Sequence, residues 1–438
     1  MPLPPGPPLP RLAQAWLWTY RFPQFTGAQH RRYGHTFTAR IGGLKTAVIT
    51  TDREAIKRLF TGDPSVKRHA NNLLIPFFGE HSVLALEPAD HLVRRKLLLP
   101  PFHGARMQGY ARLMERLVAD ELRGWRSGDV VEVQPVAQAL TLDVILQAVF
   151  GVEDRGMRRE LRAIFDAMTN PLTTIAAYLP QLDRRWNPAA HAYHRLKARL
   201  DRLLLHHIQA TRADPRLDDR ADVLALLVRA RDAHGKGLTD PEPRDELVTL
   251  ISAGHETTAT AIAWGAVLLA HDPPSRHDDD YLDAMVKEIL RIRSPLPVAA
   301  ARHVLEPFPL GRWTIPPEVM VVVDAYGLHH DLAIYADPEA FRPERFLEAP
   351  SDAYAHAFLP FGGGAHRCLG ASLAQLEIKV VLRALVDRFE LEPARPDIVG
   401  VRRRGVTMAP RDGGRVRVRR RGTRAVPSPE APAAVATR

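Results

Sequence analysis

A chain of 438 residues with a single cysteine, Cys368, cannot be stapled by an intrachain disulfide, so its fold has to rest on its own apolar core. That cysteine also stands in an unusual setting. The run Phe361-Gly362-Gly363-Gly364-Ala365-His366-Arg367-Cys368-Leu369-Gly370 closes a long coil and opens a helical pattern from Ala371 to Phe389. Hydrophobic residues make up 45% of the chain and charged ones 25%, which is enough apolar material for a large core and excludes wholesale disorder. Nothing in the cysteine usage points to an oxidising compartment, and a cytoplasmic location is expected.

Helical periodicity dominates from Ala105 to Arg126, Pro135 to Val149, Ala190 to Ala210 and Asp245 to His271, with Asp, Gly and Pro punctuation between. Strand signals are confined to Phe37 to Thr50, Gly311 to Asp324 and a short hairpin around Val406, Thr407 and Met408. The expectation is a mainly α fold with small β-sheets. It forms one large domain over residues 11–417, after a proline-rich arm at 1–10 and before a basic, disordered tail at 418–438. No run approaches the roughly 18 apolar residues of a membrane span. The apolar, aromatic stretch from Leu12 to Phe22 suits peripheral association at most.

The net charge of +10 suggests nucleic acid at first sight, but eleven arginines from Arg402 to Arg438 against Asp412 and Glu430 supply +9 of it. A charge run of that composition, without interleaved aromatics for base stacking, reads as a solvated tail rather than a nucleic-acid surface.

Three readings compete for Cys368. A lone cysteine is ordinarily a small buried hydrophobe. A nucleophilic thiol needs a base held beside the sulfur, and His366 in an irregular loop does not guarantee one. A metal-binding thiolate is favoured by the loop, because glycines let the backbone approach a flat ligand and helix N-terminal amides lower a thiol's pKa. Zinc would want more Cys or His ligands at short spacing, whereas one thiolate suits haem. In the apolar helix from Leu247 to Leu269, the run Ala253-Gly254-His255-Glu256-Thr257-Thr258 is either a kink made by Gly and back-bonding Thr or a place where Thr257 and Glu256 pass protons. The His255-Glu256 start of a zinc-protease pattern fails at Ala259.

These residues together resemble the cytochrome P450 family. The haem-binding signature Phe-Gly-x-Gly-x-Arg-x-Cys-x-Gly is matched at Phe361, Gly362, Gly364, Cys368 and Gly370, with His366 where the family usually has Arg, and the distal-helix motif is matched at Ala253 to Thr258. The resemblance runs from Pro4 to Pro410 and implies the P450 fold around haem b, with Cys368 as the iron ligand and Ala253 and Gly254 beside the haem. It implies that His91, Arg95, Arg302 and His366 reach the haem propionates. It also implies that Glu288, Arg291 and Arg345 form a buried triad that locks the coil before the cysteine loop. The sequence departs from most relatives between Thr257 and Glu288, where 31 positions leave no room for an extra helix.

The function implied is a haem-thiolate monooxygenase that uses dioxygen and inserts one oxygen atom into an apolar small molecule of the lipid, steroid or terpenoid class. Catalytic roles fall to Thr257 and Glu256. No flavin or iron–sulfur module is recognisable, so electrons are expected from a ferredoxin-type carrier with its reductase, docking where Arg94, Lys96, Arg106 and Arg367 offer positive charge. Expected pocket walls are the segment from Leu73 to Leu84, Ala253, Val298, Ala299 and Val406 to Met408. A peroxygenase or rearrangement enzyme of the same fold and a non-catalytic haem sensor are the alternatives.

Overall fold

The computed structural model describes residues 2–41, 45–63, 65–68, 75–104, 106–152, 154–168, 187–220, 222–231, 234–274, 276, 278–350 and 352–421. The N-terminal part holds α1 (Arg11–Tyr20), α2 (Phe22–Tyr33), α3 (Arg53–Phe60), α4 (Ile75–Phe78), α5 (Pro88–Leu98) and α6 (Arg106–Leu122). α7 (Val133–Val144), which runs into a π-helical turn at Ile145–Val149, is followed by α8 (Arg155–Met168), α9 (Pro188–Arg212) and α10 (Val223–Arg229). Then come α11 (Pro241–His271), α12 (Asp279–Ile292), the short α13 (Ala325–His329) and α14 (Arg345–Glu348), and α15 (Ala371–Arg388). Among the described residues no helix is long and apolar enough to cross a membrane.

The long helix α11 is the axis of the molecule. From Ala259 to Ala270 nearly every side chain is buried, so this half is apolar all round and packs on all sides. It meets α12 through Leu282, Met285 and Ile289 and α15 through Ile378, Leu382 and Leu385. Gly265 permits that approach, because a Cβ there would stand 2.9 Å from Leu382 Cδ2 and 3.1 Å from Ile289 Cδ1.

β1 (Thr36–Ile41) and β2 (Lys45–Thr50) form the expected hairpin. The main sheet also holds β3 (Val66–Arg68), β5 (Val298–Val304) and β8 (Met320–Asp324), in the order β1-β2-β8-β5-β3 with only β2 and β8 parallel. β4 (Val130–Glu132), β9 (Phe389–Pro393) and β12 (Arg415–Arg420) make a second sheet with β12 in the middle. β6 (Phe308–Leu310) with β7 (Trp313–Ile315), and β10 (Val401–Arg404) with β11 (Thr407–Pro410), are two-stranded ribbons.

Two sequence expectations change here. The basic segment after Arg402 contributes three strands, and β12 runs through Arg420, past the boundary drawn at 417, because its alternation buries Val416 and Val418 under arginines that face out. Residues 422–438, the rest of the expected tail, lie outside the described residues. The proline arm is no free arm either. Thr38 donates from its N–H to the Pro5 carbonyl at 2.9 Å and from its hydroxyl to the Pro4 carbonyl at 2.6 Å, and Tyr33 donates to the Gly6 carbonyl at 3.0 Å.

Candidate functional site

The cysteine loop is shaped by its own backbone. The Cys368 N–H donates to the Phe361 carbonyl at 2.9 Å and the Arg367 N–H to the Gly364 carbonyl at 3.1 Å. Gly364 has φ +62°, and a Cβ there would collide with the Phe60 carbonyl oxygen, so both conformation and space demand glycine. Gly370 caps α15, and a Cβ on it would meet nothing within 4 Å.

A cavity of about 610 Å³ lies between this loop and α11. Its wall takes Cys368, His366, Phe361, Gly362 and Gly370 from the loop, and His91 and Arg95 from α5. From α11 it takes Ala253, Gly254, Glu256 and Thr257. The rest is mainly apolar, with Phe78, Val83, Ile145, Phe165, Val298 and Val406 among the contributors. Of the expected walls, Leu84, Ala299 and Thr407 are also present, Met408 is not, and Leu73 and Leu74 lie outside the described residues. His91 and His366 share a hydrogen bond, Nε2 to Nδ1 at 3.1 Å, with ring centroids 4.2 Å apart.

The Cys368 thiol is exposed and lines this cavity. Burial pushes its pKa up; the Gly370 amide and the positive charges of Arg95 and Arg367 oppose that shift without overcoming it. The expected lowering by the helix terminus therefore loses to desolvation, and a cation at the sulfur is what would favour the thiolate.

On α11, Thr257 donates its hydroxyl to the Ala253 carbonyl at 2.7 Å. The helix nevertheless runs uninterrupted from Pro241 to His271. Glu256 and Thr257 are not hydrogen-bonded to each other, as adjacent helical residues diverge by about 100°. The Glu256 carboxylate is held by Gln138 at 2.5 Å, Gln134 at 3.5 Å, Thr407 at 3.4 Å and an ion pair with Arg404 at 3.2 Å. Sequence reasoning missed these partners. The signal was present as a polar stripe, Gln134, Gln138 and Thr141, on a mostly apolar α7, where Thr141 donates to the His255 carbonyl at 3.0 Å. His255 itself is a buried core histidine bonded to the Ile251 carbonyl at 3.0 Å, and burial lowers its pKa.

Glu288, Arg291 and Arg345 are brought together and buried. Arg291 binds both carboxylate oxygens of Glu288 at 2.7 and 2.8 Å, and Arg345 Nε reaches Glu288 Oε1 at 3.1 Å. Arg302, in contrast, is not among the residues lining the cavity; it is buried on β5 with its guanidinium 6.0 Å from the Phe60 ring. Arg94 is also corrected. It is buried, pairs with Glu242 at 2.8 Å and Glu246 at 3.1 Å, and so adds no charge to a docking face; Lys96 and Arg367 remain exposed and Arg106 is half-buried.

The family model described as Cytochrome P450 matches residues 4–277 and 274–412, the two matches meeting at the short connection between α11 and α12. The protein named cytochrome P450 135B1 of Mycobacterium tuberculosis is 37% identical over 444 residues, covering 96% of this chain and 92% of that protein. Cytochrome P450 137 of the same species is 34% identical over 440 residues, covering 95% and 91%. A retinoic acid bound cyanobacterial CYP120A1 superposes with a TM-score of 0.82 at 24% identity, covering 96% of this chain and 99% of that one.

Proposed function

Because the chain belongs to the cytochrome P450 family, and so is a haem b monooxygenase that uses dioxygen, a substrate and a redox partner, we propose how its own residues serve that reaction. The observation that carries the proposal is a single cavity whose wall includes both Cys368 and Thr257.

The donor set suits haem b. A soft sulfur stands at the foot of the cavity, imidazole and guanidinium donors of His91, His366 and Arg95 suit carboxylates, and the open space beside Gly370 leaves room for a flat ring. Cys368 would hold the iron, and His91, His366 and Arg95 the propionates. Arg302 would act from behind the loop, through Phe60, rather than from the wall. When bound, the haem supplies the oxygen chemistry. The chain's part is to exclude water with the apolar wall, to offer the Thr257 hydroxyl, which rests on the Ala253 carbonyl, and to hold the Glu256 carboxylate one residue away, on Gln138 and Arg404, as the second group of a proton relay. The apolar lining favours a lipid, steroid or terpenoid substrate. A ferredoxin-type carrier would dock on the cysteine side at Lys96 and Arg367, where positive charge steers an acidic partner.

One set of spectra and turnovers tests this. The reduced carbon monoxide complex should show the red-shifted Soret band of a thiolate, and Cys368→Ser should lose it; a band that persists removes Cys368 from the iron. Thr257→Ala should bind substrate normally yet divert reducing equivalents to hydrogen peroxide, so that product per reductant falls. Unchanged coupling in Thr257→Ala would favour the peroxygenase or rearrangement reading, which needs no proton there.

A further inference from the structure

The outward face of α1 carries a stripe that the fold does not use. The helix buries Gln14 and Trp18 against the main sheet, while Leu12, Trp16 and Tyr20 are 84%, 54% and 64% exposed. Their spacing of four places them in one line, Leu9 at 39% precedes them, and the Trp16 and Tyr20 rings lie 5.9 Å apart. Scattered exposed hydrophobics need no explanation, but a contiguous stripe that includes Trp and Tyr does.

We propose that α1, with the neighbouring β10–β11 ribbon, docks on an anionic lipid bilayer, Leu12, Trp16 and Tyr20 entering the headgroup region and the flanking arginines meeting lipid phosphates. The charge pattern selects this occupant. The first 51 residues contain no Asp or Glu but hold Arg11, Arg21, Arg31, Arg32, Arg40 and Lys45, and residues 398–411 contain no acid and four arginines, of which Arg404 is turned to Glu256 and Arg402, Arg403 and Arg411 are exposed. Arg21, Arg403 and Arg411 line a cleft of about 110 Å³ together with Tyr20 and Val406, so the basic rim and the apolar stripe are contiguous. Aromatic rings at headgroup depth with arginines reaching phosphate is the chemistry of an interfacial helix. A second copy of the chain would set one acid-free basic rim against another, which disfavours a symmetric dimer through this face.

A consequence, which rests on the cavity reading above although the docking does not, concerns substrate entry. Val406 is half exposed and lines both the cleft and the large cavity, and Leu296, 37% exposed, also lines that cavity. An apolar substrate dissolved in the bilayer would therefore meet the cavity wall without crossing bulk water.

Co-sedimentation of the haem-loaded protein with vesicles tests the docking without any turnover. Vesicles of phosphatidylcholine with phosphatidylglycerol should retain the parent, phosphatidylcholine alone should retain far less, and salt should release it. Leu12→Gln with Trp16→Gln should weaken binding by about tenfold or more, since each removes an apolar anchor. Arg21→Gln with Arg403→Gln should weaken it by about tenfold on the anionic vesicles only. Brominated phosphatidylcholine mixed into the anionic vesicles should quench the parent's tryptophan fluorescence, and Trp16→Phe should remove most of that quenching. Absence of anionic preference in the parent, full binding by the Leu12 and Trp16 variant, or a solution dimer that this variant dissolves while vesicles bind nothing, would each overturn the proposal.

Discussion

Glu377 shows how far a residue's chemistry depends on what surrounds it. In sequence it is one of several polar and charged positions on α15, yet in the fold it lines the cavity buried, and its Oε1 meets no partner among the described residues. Burial alone pushes its carboxyl up to about 8. The folded value thus lies above the unfolded one of 4.5, so the unfolded chain releases this proton first as pH rises. Stability should fall by roughly 1 kcal/mol per unit between about pH 5 and 8, and level off above. Glu377→Gln has no proton to lose, so its advantage over the parent in urea unfolding should grow with pH across that window. A difference that stays constant would show that the carboxylate has found a counter-charge. Arg94 teaches the same lesson in reverse, since a basic residue assigned to a surface by sequence is a buried ion-pair partner of α11.

At the level of elements, β12 is the clearest case of a pattern hidden by composition. Arg415-Val416-Arg417-Val418-Arg419-Arg420 has strict alternation through Val418, but its charge density reads as a tail. In the fold it is the central strand between β4 and β9, and Val418 also ties down the turn before β4: its carbonyl accepts from the Gly128 N–H at 2.8 Å and its own N–H donates to the Asp129 carbonyl at 3.0 Å. Each buried valine contributes roughly 1.5–3 kcal/mol. A chain ended after Gly414 should therefore lose several kcal/mol and unfold at markedly lower urea, whereas one ended after Arg421 should match the full chain. Equal midpoints for the two truncations would refute a structural role for the strand.

At the scale of the whole molecule, the Glu288 triad joins parts that are far apart in sequence. Arg291 also donates to the His329 carbonyl at 2.6 Å and the Ala340 carbonyl at 3.3 Å, and Arg345 to the Ala336 carbonyl at 2.9 Å. One buried carboxylate thus fixes α12, α13 and the coil that leads to the cysteine loop. Such a pair adds little net stability against an apolar substitute, but breaking it strands a charge. Arg291→Ala should cost about 3–5 kcal/mol and lower the haem content of the purified protein. Unfolding of the variant at the parent's midpoint would mean that Arg345 and water suffice for Glu288.

The sequence by itself determined the helical class, the first hairpin, the glycine loop around Cys368 and the Thr257 position, because each depends on periodicity, backbone freedom or a short motif read within one segment. The extent of α11 and α15 followed from the same local signals to within a few residues. What only the tertiary structure decided were the properties that need two segments at once. Gln138 and Arg404 come to Glu256 from α7 and β10, Arg302 is buried beside Phe60, and Arg94 is paired with two carboxylates of α11. The direction of the Cys368 shift belongs to this group too, since desolvation is set by the density of everything packed around a sulfur and not by the loop that carries it.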